Sequence, residues 1–499
     1  MSISEIAAMM AALMVIGSMQ ADCAPVEIRI DCASKGQTWE GWGGTDLCSF
    51  DGMENEQEAG PPGTIPPRGR QQVLKMLYQD LGWTRVRFAP TGYEPTNDND
   101  DPFAINPDGF DWKGKRVRPW TALDPYCEDN LVMGRKFRSE AEPFVFYPAT
   151  NCPEQWMSRT PQSENWYWDK GGRFNPDMVE EYAEHALAGA LHVKQVYGYE
   201  FPYWSLFNEP SNTARPSKET TLALVLATGR RFKANGLKTK LVICDDVTPE
   251  DSAEAIEYVL ADAEARGYVG AVSYHRYRGD FVLERVKPML SKVAKGKLLV
   301  SEPVSFYKSA VRYGKSVWLS EQCSYGDNGI THYDAGRARA NHICDEINNG
   351  LVNAFDFMLL YFIERGRPGN EECPIFLRFA GGKYSGAEIN PIGYWIRQFS
   401  RYIRPGSVRL DVSVNDPLIK AVAFNNPRNG AMIVVVVNNH PEEVAISIRL
   451  GSPTRKPARA ERVRTSPDAM GRELPEVAIT DSVLTDTLPG TSVTTYVLR

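Results

Sequence analysis

The chain has 499 residues, a length that fits two or more domains, although a barrel of roughly 250 residues or more can form a single unit. Hydrophobic residues make up 42% and charged residues 24% of the chain. These proportions are typical of a globular protein and exclude a disordered or collagen-like chain. The net charge of −7 argues against nucleic acid as the main partner, because phosphate binding depends on clustered Lys and Arg.

The N-terminus has the pattern of a signal peptide. An apolar stretch, Ala7–Gly17, is followed by small residues near Ala24, although Glu5 stands where a positive charge is expected. We therefore predict a signal peptide over residues 1–24 and a secreted or periplasmic protein, with a buried N-terminal helix as the alternative. No apolar run of about 18 residues occurs later, so no membrane span is expected.

Motifs for metals and cofactors are missing from the sequence. The nine cysteines form no Cys-x-x-Cys pair, and no His-Glu-x-x-His segment occurs. No Gly-rich phosphate loop follows a predicted strand. We therefore expect neither a metal nor a cofactor. Cys23 and Cys32 could pair in an oxidising compartment.

Helical and strand-like segments alternate through the middle of the chain. Helical spacing is found in Gln71–Leu81, Pro176–Val196, Pro249–Arg266 and Ala335–Asn349. Short apolar runs indicate buried strands around Trp42 and at Arg85–Phe88, Phe144–Ala149, Tyr203–Asn208, Leu241–Cys244, Val269–Tyr274, Val317–Ser320 and Ala354–Leu360. Eight strands that alternate with helices predict a (β/α)8 TIM barrel, an α/β fold, over residues 36–399.

The pattern changes near Tyr402, after which strand-like runs occur without long helices. These runs are Leu418–Phe424, Met432–Asn438, Val444–Leu450, Ala458–Thr465 and Ser492–Leu498. They predict a β-sandwich domain over residues 400–499. An isolated early strand, Val26–Ile30, is expected to join it, so residues 25–35 are assigned to the sandwich.

Two carboxylates stand at the C-terminal ends of predicted barrel strands. Glu209 follows the fourth strand within Asn-Glu-Pro, and Glu321 follows the seventh. Catalytic groups of such barrels lie at these ends. Two carboxylates facing one sugar ring are what glycoside cleavage requires. Glu302, in LLVSEP, is an alternative nucleophile, but a predicted short helix after it and the strand before Glu321 favour Glu321.

Longer motifs resemble glycoside hydrolase family 30, a member of clan A of the glycoside hydrolases. WSLFNEP and VWLSE resemble the acid/base and nucleophile signatures of the clan. WEGWGGTDLCSF, WIRQFSRYIRPGSVRL and LPGTSVTTYVL resemble the opening strand, the crossover and the closing strand of the family. The resemblance implies a TIM barrel with a side β-sandwich and retaining hydrolysis of β-linked sugars. It makes Glu209 the acid/base and Glu321 the nucleophile.

Six further residues are candidate substrate-binding residues. Asn208 resembles the clan residue that hydrogen-bonds the sugar 2-hydroxyl, and Arg87 matches a family arginine that we expect beside Glu321. His275 and Tyr277 resemble a family pair near the nucleophile. Asp46 could bind a sugar hydroxyl and Trp156 could stack on a sugar, although a turn acid and a core residue are ordinary alternatives.

The sequence therefore predicts an O-glycosyl hydrolase that acts on an oligo- or polysaccharide. The segment EQCSYGDNG is nearest to the endo-β-1,6-galactanase-like members, so the specific expectation is a retaining endo-acting enzyme that cleaves β-1,6-galactan. The alternatives are a xylanase, a β-glucosidase, a glucosylceramidase-like hydrolase or a non-catalytic carbohydrate-binding barrel. The charge of Glu321 is expected to raise the pKa of Glu209.

Overall fold

A computed structural model describes most of the chain. It covers residues 24–46, 50, 65–90, 93–115, 122–150, 153–159, 173–247, 249–275, 310–322, 331–349, 351–358, 360, 362–363, 373–453 and 456–499. The predicted signal peptide, except for its last residue, lies outside the described residues, as do Tyr277 and Glu302. Cys32 is a free thiol. None of the described helices is long and apolar enough to cross a membrane.

Eight parallel strands form the barrel that the sequence predicts. The first nine strands in the described part of the chain are β1 (Val26–Asp31), β2 (Gly41–Asp46), β3 (Arg85–Phe88), β4 (Val145–Pro148), β5 (Tyr203–Ser205), β6 (Lys240–Asp246), β7 (Val269–His275), β8 (Ser316–Glu321) and β9 (Ala354–Met358). Strands β2 to β9 pair in chain order, and β9 returns to β2. A parallel bridge between Ala149 and Ser205 joins β4 to β5 and closes the ring.

Helices follow most of the barrel strands. They are α1 (Pro67–Lys75), α2 (Asp124–Cys127), α3 (Val179–Tyr197), α4 (Lys218–Ala234), α5 (Pro249–Ala261), α6 (Ala263–Tyr268), α7 (His332–Asn348) and α8 (Pro391–Ser400). The single helix predicted over Pro249–Arg266 is wrong, because the chain breaks at Asp262. The Asp262 side chain accepts a hydrogen bond from the Ala265 backbone N–H and so caps α6 as a separate helix.

Buried charged side chains lie among the apolar ones inside the barrel. Val145, Tyr147, Val242, Ala271, Trp318 and Ala354 form one buried apolar cluster. Beside this cluster, the Arg85 guanidinium makes two hydrogen bonds of 2.9 Å to Asp356 and lies 4.1 Å from the Trp318 ring centroid. Because side chains alternate along a strand, Arg87 points into the barrel one layer nearer its C-terminal end.

The remaining strands build a small sheet and the predicted sandwich. They are β10 (Phe362–Ile363), β11 (Ile375–Ala380), β12 (Lys383–Ile389), β13 (Val408–Val414), β14 (Ile419–Asn425), β15 (Met432–Asn438), β16 (Val444–Gly451), β17 (Arg459–Ser466), β18 (Ala469–Ala478), β19 (Val483–Leu488) and β20 (Ser492–Leu498). Strand β1 lies between β13 and β16, antiparallel to the first and parallel to the second. Both ends of the chain therefore contribute to the sandwich.

The sandwich is attached to the barrel through α8. Trp395 of this helix is fully buried in the main core, and the Gln398 side chain donates to the Thr465 hydroxyl at 2.9 Å. The Thr495 hydroxyl in turn donates to the Gln398 backbone carbonyl at 2.7 Å. These contacts bind α8 to β17 and β20, so the sandwich rests on the barrel wall.

Candidate active site

Glu209 lies just beyond the end of β5, where the chain turns out of the barrel. Its backbone has a φ of 47°, and its N–H donates to the Asp245 carbonyl at 2.9 Å. The Asn212 side chain donates to its carboxylate at 3.0 Å. With 19% of its side chain exposed, Glu209 is held in a fixed position and remains accessible to a ligand in the barrel mouth.

Glu321 is the last residue of β8 and pairs in register with His275, the last residue of β7. Its side chain is 7% exposed and accepts a hydrogen bond of 2.9 Å from Arg87. Single ligand atoms of Glu209, His275 and Glu321 all lie within 4.8 Å of one another. The two predicted catalytic carboxylates therefore face each other across the mouth of the barrel.

Arg87 connects the groups around Glu321. Its guanidinium donates to Asp245 at 2.7 Å, to Glu321 at 2.9 Å and to the Asn208 side-chain oxygen. Burial lowers the pKa of Arg87, but Asp245 and Glu321 outweigh burial and raise it. Arg87 therefore stays charged and fixes Asn208 and Glu321 relative to each other.

His275 lies between the carboxylates and is fully buried. Its Nδ1 lies 3.1 Å from Glu209, and its Nε2 lies 3.5 Å from Asp245 and 3.8 Å from Glu321. Burial lowers the pKa of His275, but the charge of Glu321 and hydrogen bonds to Asp245 and Glu209 together raise it to about 10. His275 is therefore an imidazolium at neutral pH.

The protonation of Glu209 differs from the expectation. Burial alone would raise the pKa of Glu209, but the hydrogen bond and charge of His275 and the Asn212 hydrogen bond lower it. The expected rise in the pKa of Glu209 rested on the charge of Glu321 alone, and the neighbouring His275 cation acts in the opposite direction. In the ligand-free site, the proton near Glu209 is carried by His275.

Asp245 is a central residue of the site that the sequence analysis missed. It accepts hydrogen bonds from Arg87 and from the hydroxyls of Ser205, Ser273 and Ser320. A register shift between Cys244 and Asp246 turns this side chain into the barrel, where Cys244 and Asp245 both have positive φ. Its position at the end of β6, the fifth strand of the barrel, could have marked it as a site residue. Strict alternation of side chains along a strand, however, does not predict such a bulge.

The other sequence candidates have different surroundings. The Asp46 carboxylate, at the end of β2, accepts a hydrogen bond of 3.1 Å from Asn130. The half-buried Trp156 donates its indole N–H to the Glu94 carbonyl at 3.0 Å, which places it among the loops that follow β3 and β4. The structure thus brings together Glu209, Glu321, Asn208, Arg87 and His275, whereas Tyr277 lies outside the described residues.

The cluster holds two cations, Arg87 and His275, and three carboxylates, Glu209, Asp245 and Glu321. Glu209, His275 and Glu321 are spaced closely enough to ligate one cation. However, Arg87 and the His275 imidazolium already place two positive charges against these carboxylates and Asp245. A histidine must be neutral to ligate a metal, so a cation at this position would have to displace the proton of His275.

A family model matches the C-terminal domain of the chain. Residues 406–496 match the family model described as the glycosyl hydrolase family 30 beta sandwich domain. The match lies within residues 400–499, the region that the sequence assigned to the sandwich, and runs from β13 into β20. The predicted enzyme class, an O-glycosyl hydrolase, is consistent with this match.

Curated relatives and solved structures are also similar to this chain. Two proteins of Caenorhabditis elegans, named putative glucosylceramidases 2 and 1, are 24% and 21% identical over 48% and 83% of this chain. The aligned regions span 46% of the length of glucosylceramidase 2 and 76% of that of glucosylceramidase 1. The chain therefore matches about half the length of the first of these relatives. A family 30 endoxylanase from Clostridium papyrosolvens superposes with a TM-score of 0.64 at 18% identity, covering 95% of this chain and 100% of its own. A solved endo-β-1,6-glucanase gives 0.65 at 18% identity, covering 96% and 94%. These structures share the fold.

Proposed function

We propose that the chain is a retaining β-glycoside hydrolase in which Glu209 is the acid/base and Glu321 the nucleophile. The observation that carries this proposal is the approach of the two carboxylates to within 4.8 Å, measured between one oxygen of each. Retaining enzymes hold their carboxyl groups about 5–5.5 Å apart, whereas inverting enzymes need about 6.5–9.5 Å to admit a water. The spacing therefore favours direct attack by Glu321 on the sugar.

The chemistry runs in two displacements. Glu321 attacks the anomeric carbon while Glu209 gives a proton to the departing glycosidic oxygen, so a glycosyl ester forms on Glu321 and an alcohol leaves. A water then attacks the same carbon, Glu209 accepts its proton, and the Glu321 carboxylate is released. Arg87 holds Glu321 in place, and Asn208 is positioned beside it to hydrogen-bond the sugar 2-hydroxyl.

His275 has a defined part in the first displacement. Since Glu209 is ionised in the ligand-free site, it must gain a proton before it can act as an acid. His275 Nδ1 lies 3.1 Å from Glu209 Oε1 and stabilises the ionised carboxylate. With the pKa of His275 at about 10 and that of Glu209 lowered, the proton stays on His275, so Glu209 takes its proton from solvent and is a better acid at low pH.

For the substrate, we propose a β-1,6-linked glycan cleaved internally, with β-1,6-galactan as the first choice. The support is the resemblance of the segment after Glu321 to galactanase-like members, and the shared fold of a neighbour named an endo-β-1,6-glucanase. Xylan, aryl β-glucosides and glucosylceramide are the alternatives, the last because two relatives are named putative glucosylceramidases. Digestion of a panel of these glycans with product analysis distinguishes them.

Two substitutions test the catalytic assignment. Glu321→Gln and Glu209→Gln should each lower kcat by several orders of magnitude on the panel's best substrate. A substrate with a good leaving group should restore the first step of Glu209→Gln, and azide its second step, but neither should rescue retaining hydrolysis by Glu321→Gln. Glu302→Gln is the control. An inactive Glu302→Gln beside an active Glu321→Gln would contradict the assignment, as would the absence of any hydrolysis by the unmodified chain.

We also propose that the protein is exported, which rests on the N-terminal sequence pattern alone. Expression with and without residues 1–24 tests this. The full chain should appear outside the cytoplasm with a shortened N-terminus by mass spectrometry, and the shortened chain should stay inside the cell. An uncleaved full chain in the cytoplasm would contradict export.

A further inference from the structure

Strand β8 is irregular at the point where it presents Glu321 to the barrel. Tyr274 of β7 pairs with Leu319, whereas the next residue, His275, pairs with Glu321, so the register skips Ser320. The Ser320 hydroxyl donates to a carboxylate inside the barrel, and the Glu321 carboxylate is hydrogen-bonded there as well. Two consecutive side chains thus point inward, which a regular strand does not allow and a bulge does. The direction of the proposed nucleophile therefore depends on this bulge.

Two side chains beside the bulge leave the barrel in the opposite direction and reach helix α7. The Tyr274 hydroxyl donates to Glu346 at 2.5 Å. The side-chain amide of Gln322, the residue after Glu321, contacts Nδ1 of His342, and Nε2 of His342 lies 2.9 Å from the other oxygen of Glu346. One carboxylate on α7 is therefore connected to β7 directly and to the end of β8 through His342.

This connection is buried along its whole length. Each of its four side chains is at most 3% exposed, and Glu346 is fully buried. Gln322 is also held by its backbone, because its carbonyl accepts from the Met358 N–H of β9 at 2.9 Å. Buried hydrogen-bonded networks restrict the groups that they join. A displacement of Glu346 would therefore be transmitted to the backbone that directly follows Glu321.

We propose that Glu346 is a positioning residue that holds the bulge of β8 and thereby directs the Glu321 carboxylate at the anomeric carbon. The inference rests on the proposed function, because it takes Glu321 as the nucleophile. Glu346 lies on α7 behind the barrel strands, so it acts through other residues and does not touch the substrate. Reacting groups must be held to within about 0.5 Å, and a displacement of about 1 Å can cost about a hundredfold in rate.

The rate at which Glu321 forms a bond to a sugar tests this proposal. The reagent is a 2-deoxy-2-fluoro β-glycoside with a dinitrophenolate leaving group, built on the sugar of the panel's best substrate. An oxygen of Glu321 bonds to the anomeric carbon while the bond to the dinitrophenolate breaks, and the resulting ester is hydrolysed slowly. Because this leaving group needs little help from Glu209, the labelling rate reports on the nucleophile. Mass spectrometry of the intact chain gives this rate, and peptide mapping gives the labelled residue.

Glu346→Gln should lower the labelling rate constant at saturating reagent by about ten- to a hundredfold. The amide keeps the shape of the side chain but has one acceptor oxygen, so it cannot accept from His342 and Tyr274 at once. Tyr274→Phe is the milder variant, because it removes only the hydroxyl and keeps the ring. It should lower the labelling rate constant by about threefold or more, as expected for one lost hydrogen bond.

Asn341→Ala is the matched control on the same helix. Asn341 is 6% exposed and exchanges side-chain hydrogen bonds of 2.8 Å with Asn439 of the sandwich, so it faces away from the bulge. Its substitution should lower the melting temperature, because it leaves Asn439 buried without this partner, but should leave the labelling rate unchanged.

The outcomes separate the inference from the proposed function. A labelling rate in folded Glu346→Gln equal to that of the unmodified chain would overturn the inference, as would an equally large loss of rate in Asn341→Ala. If Glu346→Gln does not fold, an unchanged rate in Tyr274→Phe overturns it. Absence of a label on Glu321 in the unmodified chain would instead refute the proposed function, and the inference with it.

Discussion

At the scale of single residues, His275 sets the protonation of the candidate active site. It carries a positive charge while fully buried, because Glu321, Asp245 and Glu209 surround it. The same charge lowers the pKa of Glu209 and keeps this acid ionised in the ligand-free protein. A general acid with a lowered pKa works best at acidic pH.

The pH dependence of catalysis should therefore depend on His275. The rate kcat/KM should fall as pH rises through the pKa of Glu209, because the acid must be protonated. In His275→Gln the positive charge that lowers the pKa of Glu209 is lost, while burial and the charge of Glu321 remain. The pH at which kcat/KM falls, the alkaline limb of the profile, should therefore move to a higher value. The pH profile on an aryl β-glycoside measures this. His440→Gln, in the sandwich, is the control, and a limb that stays in place or moves to lower pH in His275→Gln would contradict the role of His275.

Asp245 should be as important for stability as for catalysis. Asp245→Asn leaves Arg87 and His275 without their shared carboxylate, and breaking such a buried pair costs about 3–5 kcal/mol. Burial raises the pKa of Asp245, but Arg87 and His275 hold it well below its ordinary value. Its contribution is thus present above the ordinary pKa and lost as pH falls.

Urea unfolding of two neighbouring variants separates charge pairing from burial. Asp246 is buried like Asp245, with 2% against 0% exposed, but among the described residues it accepts only from the hydroxyls of Ser211 and Ser252 and from backbone N–H groups. Asp246→Asn should cost about 1 kcal/mol, the usual size of a hydrogen-bond loss. Equal losses in the free energy of unfolding for Asp245→Asn and Asp246→Asn would show that the ion pairs of Asp245 add no stability beyond that of a buried, hydrogen-bonded carboxylate.

At the scale of elements, strand β1 joins the N-terminus to a domain made mainly of C-terminal residues. Ile30 is 1% exposed and packs in the sandwich core, whereas the neighbouring Arg29 side chain is 66% exposed. Ile30→Ala should lower the free energy of unfolding by about 2–5 kcal/mol, and Arg29→Ala should lower it far less, because exposed ion pairs contribute little. Calorimetric melting of both variants is the measurement. A harmless Ile30→Ala would mean that β1 is dispensable to the sandwich.

Strand ends explain how much of the site was predictable. Glu209 and Glu321 follow apolar runs whose ends all meet at one face of a parallel barrel, so their proximity could be inferred without coordinates. The bulge in β6 could not be inferred from the sequence, because one extra residue reverses the side-chain alternation and brings Asp245 inward. The break between α5 and α6 at Asp262 was not predicted either, because the helical spacing of the apolar residues continues across it. His275 was identified, but its charge depends on distances to three carboxylates that only the fold supplies.

At the scale of the whole molecule, the two ends of the barrel have different electrostatic character. The C-terminal end holds the two proposed catalytic carboxylates beside the buried cations Arg87 and His275. The opposite end is lined by four cations, Lys75, Arg138, Arg401 and Arg404, and by two carboxylates, Asp80 and Glu142.

The anomeric configuration of the first product tests the paired-carboxylate mechanism most directly. Proton NMR can follow hydrolysis of a β-linked substrate from the glycan panel before the released sugar mutarotates. Attack by Glu321 followed by attack of water on the same carbon inverts the configuration twice, so the β anomer should appear first. Initial release of the α anomer would contradict the mechanism, even if both Glu209 and Glu321 proved essential.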